Sequence, residues 1–248
     1  MLVDVHAHMH TLNNVESVLK EAYAAGVGKI VAVSMDLASY EKTLAIRSNQ
    51  VQIIPSLGLH PWNAYTQSNE LEDIVARIKD VSCVGEIGLD YLTFKNPEEH
   101  RAQLRAFNAQ LAPCEGTSKA VNIHSVGAER EVIEILTSYN LKRVNMHWYD
   151  PSELGEPLAL VPRIVDLGWF VSITPNIATS KNVQELARMV PIENLITETD
   201  THSNVKYNGV QSSPKMIALS IEGISKIKRI TPSEVEAVVA HNFERLVG

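Results

Sequence analysis

MLVDVHAHMH, residues 1–10, opens the chain with an apolar run that ends in two histidines, His6 and His8. If residues 2–6 form a β-strand, side chains two residues apart point to the same side, so the two imidazoles can converge. Neutral imidazole is a good ligand for zinc, copper, iron and nickel ions. Histidine is also common at polar strand ends, so this pair alone is compatible with a metal site and with an ordinary strand terminus.

The same arrangement, a short apolar run followed by a longer amphipathic stretch, recurs along the chain. Eight runs rich in β-branched residues are strand candidates: 2–6, 29–34, 51–57, 82–87, 119–124, 143–147, 169–173 and 195–199. Apolar residues at helical spacing follow at 15–25, 37–48, 70–79, 97–111, 128–138, 183–189, 214–228 and 232–246, and a Pro-bounded stretch ends near Asp166. The chain therefore alternates predicted strands and helices.

This alternation predicts the fold. Runs that are apolar throughout indicate strands buried on both faces, and hence a parallel sheet. Eight β/α units in 248 residues predict a (β/α)8 TIM barrel of the α/β class. A doubly wound open sheet is the main alternative, but no G-x-G-x-x-G motif follows the first strand. No linker interrupts the pattern, so we expect a single domain, residues 1–248.

The composition restricts the partners. Hydrophobic residues make up 45% of the chain, which is normal for a globular protein, and the net charge is −7. A protein that wraps duplex DNA over its whole surface is usually basic, so any DNA contact should be local. No apolar stretch reaches about 18 residues, so we expect no membrane association. No obligate protein partner is evident.

Cysteine usage indicates the compartment. Two cysteines, Cys83 and Cys114, are too few for a disulfide framework, and this fits a reducing cytoplasm. The N-terminus lacks the basic and apolar regions of a signal peptide. We therefore expect a cytoplasmic location.

The ionisable residues at strand ends are the candidate site, because TIM barrels carry their active sites at the carboxyl ends of the strands. They are His6, His8, His60, Glu86, His124, His147, Glu198 and Asp200. A single catalytic zinc ion needs about three protein ligands. The set exceeds this number with at least four histidines and two carboxylates, which predicts two ions about 3.5–4 Å apart and bridged by one carboxylate. A merely structural polar layer would explain any one of these residues, but not all of them together.

Several stretches together resemble the TatD family of metal-dependent deoxyribonucleases, within the amidohydrolase-like barrels. They are DVHAH (4–8), GLHP (58–61), VGEIGLDY (84–91), NIHS (122–125), HWY (147–149), ETD (198–200) and NFERL (242–246). Each piece is short, but their combination is specific and spans essentially the whole chain.

The resemblance implies how the ligands are divided: His6, His8, Glu86 and Asp200 for one divalent ion, and Glu86, His124 and His147 for the other. Mixed imidazole and carboxylate ligands suit zinc, manganese or magnesium. The implied reaction is hydrolysis of phosphodiester bonds in DNA by a water that the two ions activate. Glu86 would be the shared catalytic carboxylate, and Asp200 the general base or proton shuttle.

Departures from the family pattern concern the substrate. The family often has an acid where this chain has His10, and an arginine, a natural phosphate ligand, at Val126. Arg130, one helical turn further on, is either a substitute for that arginine or a solvated helix residue. His202 stands where the family usually has a small residue and a proline, and is either a substrate contact or a loop histidine. His60, in the GLHP turn, is a candidate phosphate contact.

Four aromatic residues also follow strand ends: Trp62, Tyr91, Trp148 and Tyr149. They either stack on a nucleobase or pack the loops.

Two other functions remain open at this point. Related barrels cleave C–N or ester bonds, although many of them use a carboxylated lysine where this chain has Glu86. The other is a catalytically idle metal-binding barrel, against which the intact ligand set argues.

Overall fold

An eight-stranded parallel sheet forms the centre of the computed structural model, which describes residues 1–150, 157–202 and 204–248. Its strands follow one another in chain order. They are β1 Leu2–Ala7, β2 Val27–Val33, β3 Gln52–Leu57, β4 Cys83–Asp90, β5 Ala120–Val126, β6 Arg143–Met146, β7 Phe170–Ile173 and β8 Leu195–Thr197. Each strand pairs in parallel with the next one.

The first and last strands meet just beyond the end of β8. Ala7 forms a parallel bridge with Thr201, and the His8 N–H donates to the Thr201 carbonyl at 2.8 Å. The Asp200 N–H donates to the His6 carbonyl at 2.9 Å. These contacts close the sheet into a barrel, and they bring the end of the ETD motif against the H-x-H motif.

Helices follow the strands, as the alternation predicts. They are α1 Val15–Ala24, α2 Leu37–Ala45, α3 Leu71–Arg77, α4 Pro97–Leu111, α5 Glu129–Thr137, α6 Pro157–Asp166, α7 Lys181–Met189, α8 Ile217–Lys228 and α9 Pro232–Val247. The predicted (β/α)8 barrel is therefore confirmed. The beginning of the predicted Pro-bounded stretch, at residues 151–156, lies outside the described residues. None of the described helices is long and apolar enough to cross a membrane.

One element differs from the alternation. A short antiparallel hairpin, β9 Lys206–Tyr207 and β10 Val210–Gln211, stands between β8 and α8. The side-chain amide of Gln211 donates to the carbonyls of His202 and Val205 at 2.6 and 2.9 Å. The hairpin therefore fixes the loop that carries His202.

The strands separate apolar and polar side chains by their period of two. In β1, Val3, Val5 and Ala7 belong to the hydrophobic core, whereas Asp4 and His6 are buried polar residues. Every residue of β4 is also buried, including Glu86. A polar layer thus lies inside an otherwise apolar barrel.

Candidate metal centre

Glu86 lies at the centre of a cluster of imidazoles. Its side chain is 1% exposed, and its Oε1 atom lies 2.6 Å from His124 Nδ1 and 3.5 Å from His147 Nε2. Its Oε2 atom lies 3.1 to 3.3 Å from three Nε2 atoms, those of His6, His8 and His60. Each oxygen of one carboxylate therefore faces its own group of imidazoles, which is the arrangement that a bridging ligand requires.

Asp200 joins the cluster from the closing edge of the barrel. Its Oδ1 atom lies 3.6 Å from His6 Nε2 and 3.5 Å from His8 Nε2. Its backbone φ of 42° is in the left-handed region, which non-glycine residues adopt mainly where the surrounding structure imposes it. His6, His8 and Asp200 form one group whose ligand atoms all lie within 4.8 Å of one another, and His6, Glu86 and His147 form another.

The donor set fits divalent cations. Within the part of the chain that the structure describes, Asp200 Oδ1 and His8 Nδ1 are buried without a hydrogen-bond partner. Burial raises the pKa of Asp200 to about 6, because the charged form loses its hydration. A buried carboxylate that lacks a compensating charge is costly, and a divalent ion among these oxygen and nitrogen atoms would provide that charge.

Hydrogen bonds orient two of the candidate ligands. His147 Nδ1 lies 2.8 Å from Glu198 Oε2, and His6 Nδ1 lies 3.2 Å from Asn122 Oδ1. These oxygens only accept, so Nδ1 carries a proton in each ring, and in the neutral form of the ring Nε2 keeps its lone pair. Both Nε2 atoms face Glu86, as expected of metal ligands held by an outer layer of hydrogen bonds.

His60 and His202 have the opposite arrangement. His60 Nδ1 accepts the Trp62 N–H at 3.1 Å, and His202 Nδ1 accepts the Asn204 N–H at 3.1 Å. Burial lowers the pKa of both imidazoles, which favours the neutral form. Because Nδ1 is an acceptor, the proton of the neutral ring is on Nε2. Both residues are therefore hydrogen-bond donors, and His60 donates to Glu86.

His124 lies between two carboxylates. Its Nδ1 atom lies 2.6 Å from Glu86 Oε1, and its Nε2 atom lies 3.2 Å from Asp90 Oδ2. Although burial opposes the charged form, the hydrogen bonds to Asp90 and Glu86 raise the pKa of His124 to about 10. A neutral His124 can keep its proton on Nε2, where it is donated to Asp90, and turn the lone pair of Nδ1 towards Glu86.

The cluster lies at the bottom of a cavity of about 350 Å³. Apolar and aromatic side chains form much of its lining: Met35, Trp62, Leu92, Val126, Trp148 and Val205. None of the described residues that line it is a lysine or an arginine. Val126, which stands where the family usually has an arginine, is one of these lining residues.

The predicted substrate residues separate into two groups. His60 and His202 line the cavity, whereas Arg130 lines a neighbouring cleft with Tyr91 and Leu160. The structure thus does not bring Arg130 to the position of the missing arginine. The chain turns at Gly127, where φ is 66°, and α5 begins only at Glu129.

His10 lies beside the cluster, with its ring centroid 5.5 Å from that of His8. Burial lowers its pKa to about 4. Its Nδ1 atom is buried and has no hydrogen-bond partner among the described residues. The structure assigns it no ligand role.

Asn122 has no role predicted from the sequence, and Glu198 is not part of the predicted ligand set. The alternation of side chains along a β-strand could have indicated Asn122. Asn122 precedes His124 by two residues, and Asn145 precedes His147 in the same way, so each pair shares one strand face. The Asn145 side chain donates to Asn122 Oδ1 at 2.9 Å, which extends this layer beneath the imidazoles.

Comparisons with known proteins identify the family of this chain. The chain matches the family model described as TatD related DNase over residues 3–248. It is 30% identical to Deoxyribonuclease TATDN3 of Homo sapiens over 266 residues, which cover 99% of this chain and 94% of that protein. It is 27% identical to the metal-dependent hydrolase YcfH of Escherichia coli (strain K12) over 260 residues, with 99% and 95% covered.

Among solved structures, the fold is similar to that of YJJV, a TatD homologue from Escherichia coli. The TM-score is 0.85 at 23% identity, with 99% of this chain and 97% of that chain covered. Together with the donor set, the relatives support the use of a divalent metal ion and confirm the predicted class, a metal-dependent hydrolase. The chain belongs to the TatD related DNase family.

Proposed function

We propose that this protein is a deoxyribonuclease that hydrolyses phosphodiester bonds in DNA with the help of divalent metal ions. The position of Glu86 carries the proposal, because its two oxygens face separate groups of imidazoles at the bottom of an open cavity. The family description and the name of the human relative support DNA as the substrate.

Two ions fit the donor set better than one. We assign one ion to His6, His8, Glu86 and Asp200, and the other to Glu86, His124 and His147. Zinc, manganese and magnesium are the candidates, because the set combines imidazole and carboxylate ligands. When bound, such ions lower the pKa of water and neutralise charge on the oxygens of a phosphodiester.

The chain's own residues complete the reaction. Asp200 is the general base, because its side chain lines the cavity beside the candidate ligands His6 and His8. It accepts a proton from the attacking water and returns one to the leaving oxygen. His202 would donate its Nε2 proton to a non-bridging oxygen of the phosphodiester. His60, whose Nε2 proton is held by Glu86 in this structure, would donate that proton to a second non-bridging oxygen when Glu86 serves as a metal ligand. Neutral donors would thus act where the family usually has an arginine.

DNA contacts outside the cavity are a further part of the proposal. Arg130, in the cleft beside Tyr91, would contact only a DNA strand that extends beyond the cavity. An unchanged KM of the Arg130→Ala variant on a long DNA substrate would remove this contact.

Residues 1–248 would act as one hydrolase domain in the cytoplasm, without an obligate protein partner. The cytoplasmic location rests on the two cysteines, which are both free and buried.

One observation favours a second function. Much of the cavity lining is apolar, and no lysine or arginine lines the cavity within the described ranges. A neutral amide or ester would suit such a cavity, so cleavage of C–N or ester bonds remains the alternative. The paired groups of ligand atoms argue against an idle barrel.

The test is a single purified preparation in which bound metals and DNA cleavage are both measured. We expect bound divalent metal and metal-dependent cleavage, and we expect the Asp200→Asn variant to keep its fold and lose at least about a hundredfold in kcat. Asp73→Asn, on the exposed side of α3, is the matched control and should keep its full activity.

Two outcomes would contradict these assignments. Activity on amides or lactones, without any on DNA, would favour the alternative reaction. Near wild-type kcat in the Asp200→Asn variant would remove the general base.

A further inference from the structure

Trp62 is an exposed aromatic residue that is held in a fixed orientation beside the candidate metal ligands. Its side chain is 46% exposed, and it lines the cavity. The indole Nε1–H donates to Oδ2 of the buried Asp90 at 2.6 Å. The ring stands edge-on to the rings of His60 and His124, with centroids 5.2 and 6.4 Å apart. An indole that is already fixed loses little conformational entropy when a ligand packs on it.

The cavity offers a nucleic acid few other attractive contacts. No lysine or arginine occurs among the described lining residues, and by sequence residues 151–156 and 203 contain neither. Beyond the phosphodiester itself, apolar and aromatic contacts are therefore the main source of binding energy that this cavity offers. A nucleobase gains such energy by stacking on an aromatic ring, whatever its identity.

A second indole, that of Trp148, also lines the cavity. Trp148 follows His147 directly and stacks on Tyr207, with centroids 6.1 Å apart and a 23° angle between the rings. Its backbone N–H donates to Glu198 at 2.7 Å. Trp148 is thus less exposed and already partnered on one face, so among the described lining residues Trp62 is the indole that is available for stacking.

We propose that Trp62 is the surface on which the nucleobase beside the scissile phosphodiester stacks, and that this contact selects base-bearing strands. The inference deepens the proposed phosphodiesterase function and rests on it. Asp90 links Trp62 to the candidate metal ligands, because its Oδ2 atom contacts both Trp62 Nε1 and His124 Nε2. A base on Trp62 is therefore positioned relative to the candidate ligand His124.

The experiment compares two strands of equal length, a single-stranded oligodeoxynucleotide and the same strand with every base removed as tetrahydrofuran residues. We expect the wild-type protein to favour the base-bearing strand by about tenfold or more in kcat/KM. Trp62→Leu should bring this ratio close to one by slowing only the base-bearing strand. Trp62→Phe keeps a flat ring without the indole N–H and should keep most of the preference.

Tyr65→Leu is the matched control. Tyr65 lies three residues further on, is 50% exposed and is not among the residues that line the cavity. This variant should keep the wild-type ratio. The melting temperature of every variant shows whether it is folded.

The outcomes separate the inference from the proposed function. A wild-type kcat/KM ratio near one would overturn the stacking contact. An equal loss of kcat/KM on both DNA strands in Trp62→Leu would also overturn it, and would show that Trp62 only positions Asp90. A protein inactive on both strands would overturn the proposed function instead.

Stacking is then measured directly, in a variant with Trp148 and Trp169 changed to Phe, so that Trp62 is the single indole. Quenching of its fluorescence by the base-bearing strand, and not by the abasic one, would support the contact. Equal or absent quenching would overturn it.

Discussion

The position of one proton distinguishes a metal ligand from a hydrogen-bond donor at this site. Glu198 and Asn122 accept hydrogen bonds from Nδ1 of His147 and His6, so in the neutral rings the Nε2 lone pairs face Glu86. At His60, the backbone N–H of Trp62 donates a hydrogen bond to Nδ1, so Nε2 carries the proton of the neutral ring. His60, Glu86 and His124 are close enough to resemble a metal-binding group, but this hydrogen bond makes His60 a donor.

Removing each imidazole in turn tests this distinction. We expect His6→Ala to lose bound metal, because it removes a ligand atom. His60→Ala should retain the wild-type metal content and raise KM by about two- to tenfold, which is the usual effect of losing one neutral hydrogen bond. Metal per chain after dialysis and steady-state kinetics give the two readouts. Equal metal loss in both variants would show that His60 is a ligand.

At the scale of elements, the close approach of β4 and β5 brings His124 to Glu86. A Cβ atom on Gly88 would lie 1.9 Å from the His124 carbonyl oxygen, and the φ of Gly88 is +148°. A Cβ atom on Gly85 would lie 2.7 Å from the Cβ atom of Asn122. The two glycines of β4 therefore allow β5 to lie where its side chains reach the cluster.

A methyl group on β4 should disturb both stability and metal binding. For the control, Gly116→Ala, we expect only the strain of a positive φ, about 1–2 kcal/mol, because nothing lies within 4 Å of its Cβ atom. This corresponds to a melting temperature lower by about 2–8 °C. In Gly88→Ala, the new methyl group also collides with the backbone of His124. This variant should therefore lower the melting temperature at least twice as much and weaken metal binding. Similar losses in both variants would mean that the strand spacing is not critical.

Across the whole molecule, the candidate ligands connect distant parts of the barrel. They lie on or directly after five strands, β1, β4, β5, β6 and β8. Asp200 and His8 also belong to the contacts that close β8 against β1. Bound metal ions would therefore link the strand ends and stabilise the barrel.

Removal of metal should lower the thermal stability. At a free metal concentration about 100 times the Kd, binding stabilises the folded state by about 2.7 kcal/mol. For a chain of this size, chelation should then lower the melting temperature by about 5–10 °C. Calorimetry with and without chelator measures this shift, and restoring the metal should reverse it. The His6→Ala variant should show a smaller shift, whereas an unchanged wild-type melting temperature would contradict the linkage.

The sequence by itself determined the barrel and the strand ends at which the candidate ligands lie. Alternating apolar runs and amphipathic stretches are local properties, and in a parallel barrel they fix which end of each strand carries the site. His6, Glu86, His124 and Asp200 could be selected in this way without coordinates.

The tertiary structure decided what those side chains contact. Trp62 reaches Asp90 across 28 residues, and His147 reaches Glu198 across 51. Such contacts depend on the distance and twist between neighbouring strands, which a sequence pattern does not specify. For the same reason, only the fold separated Arg130 from the cavity and gave His60 its proton on Nε2.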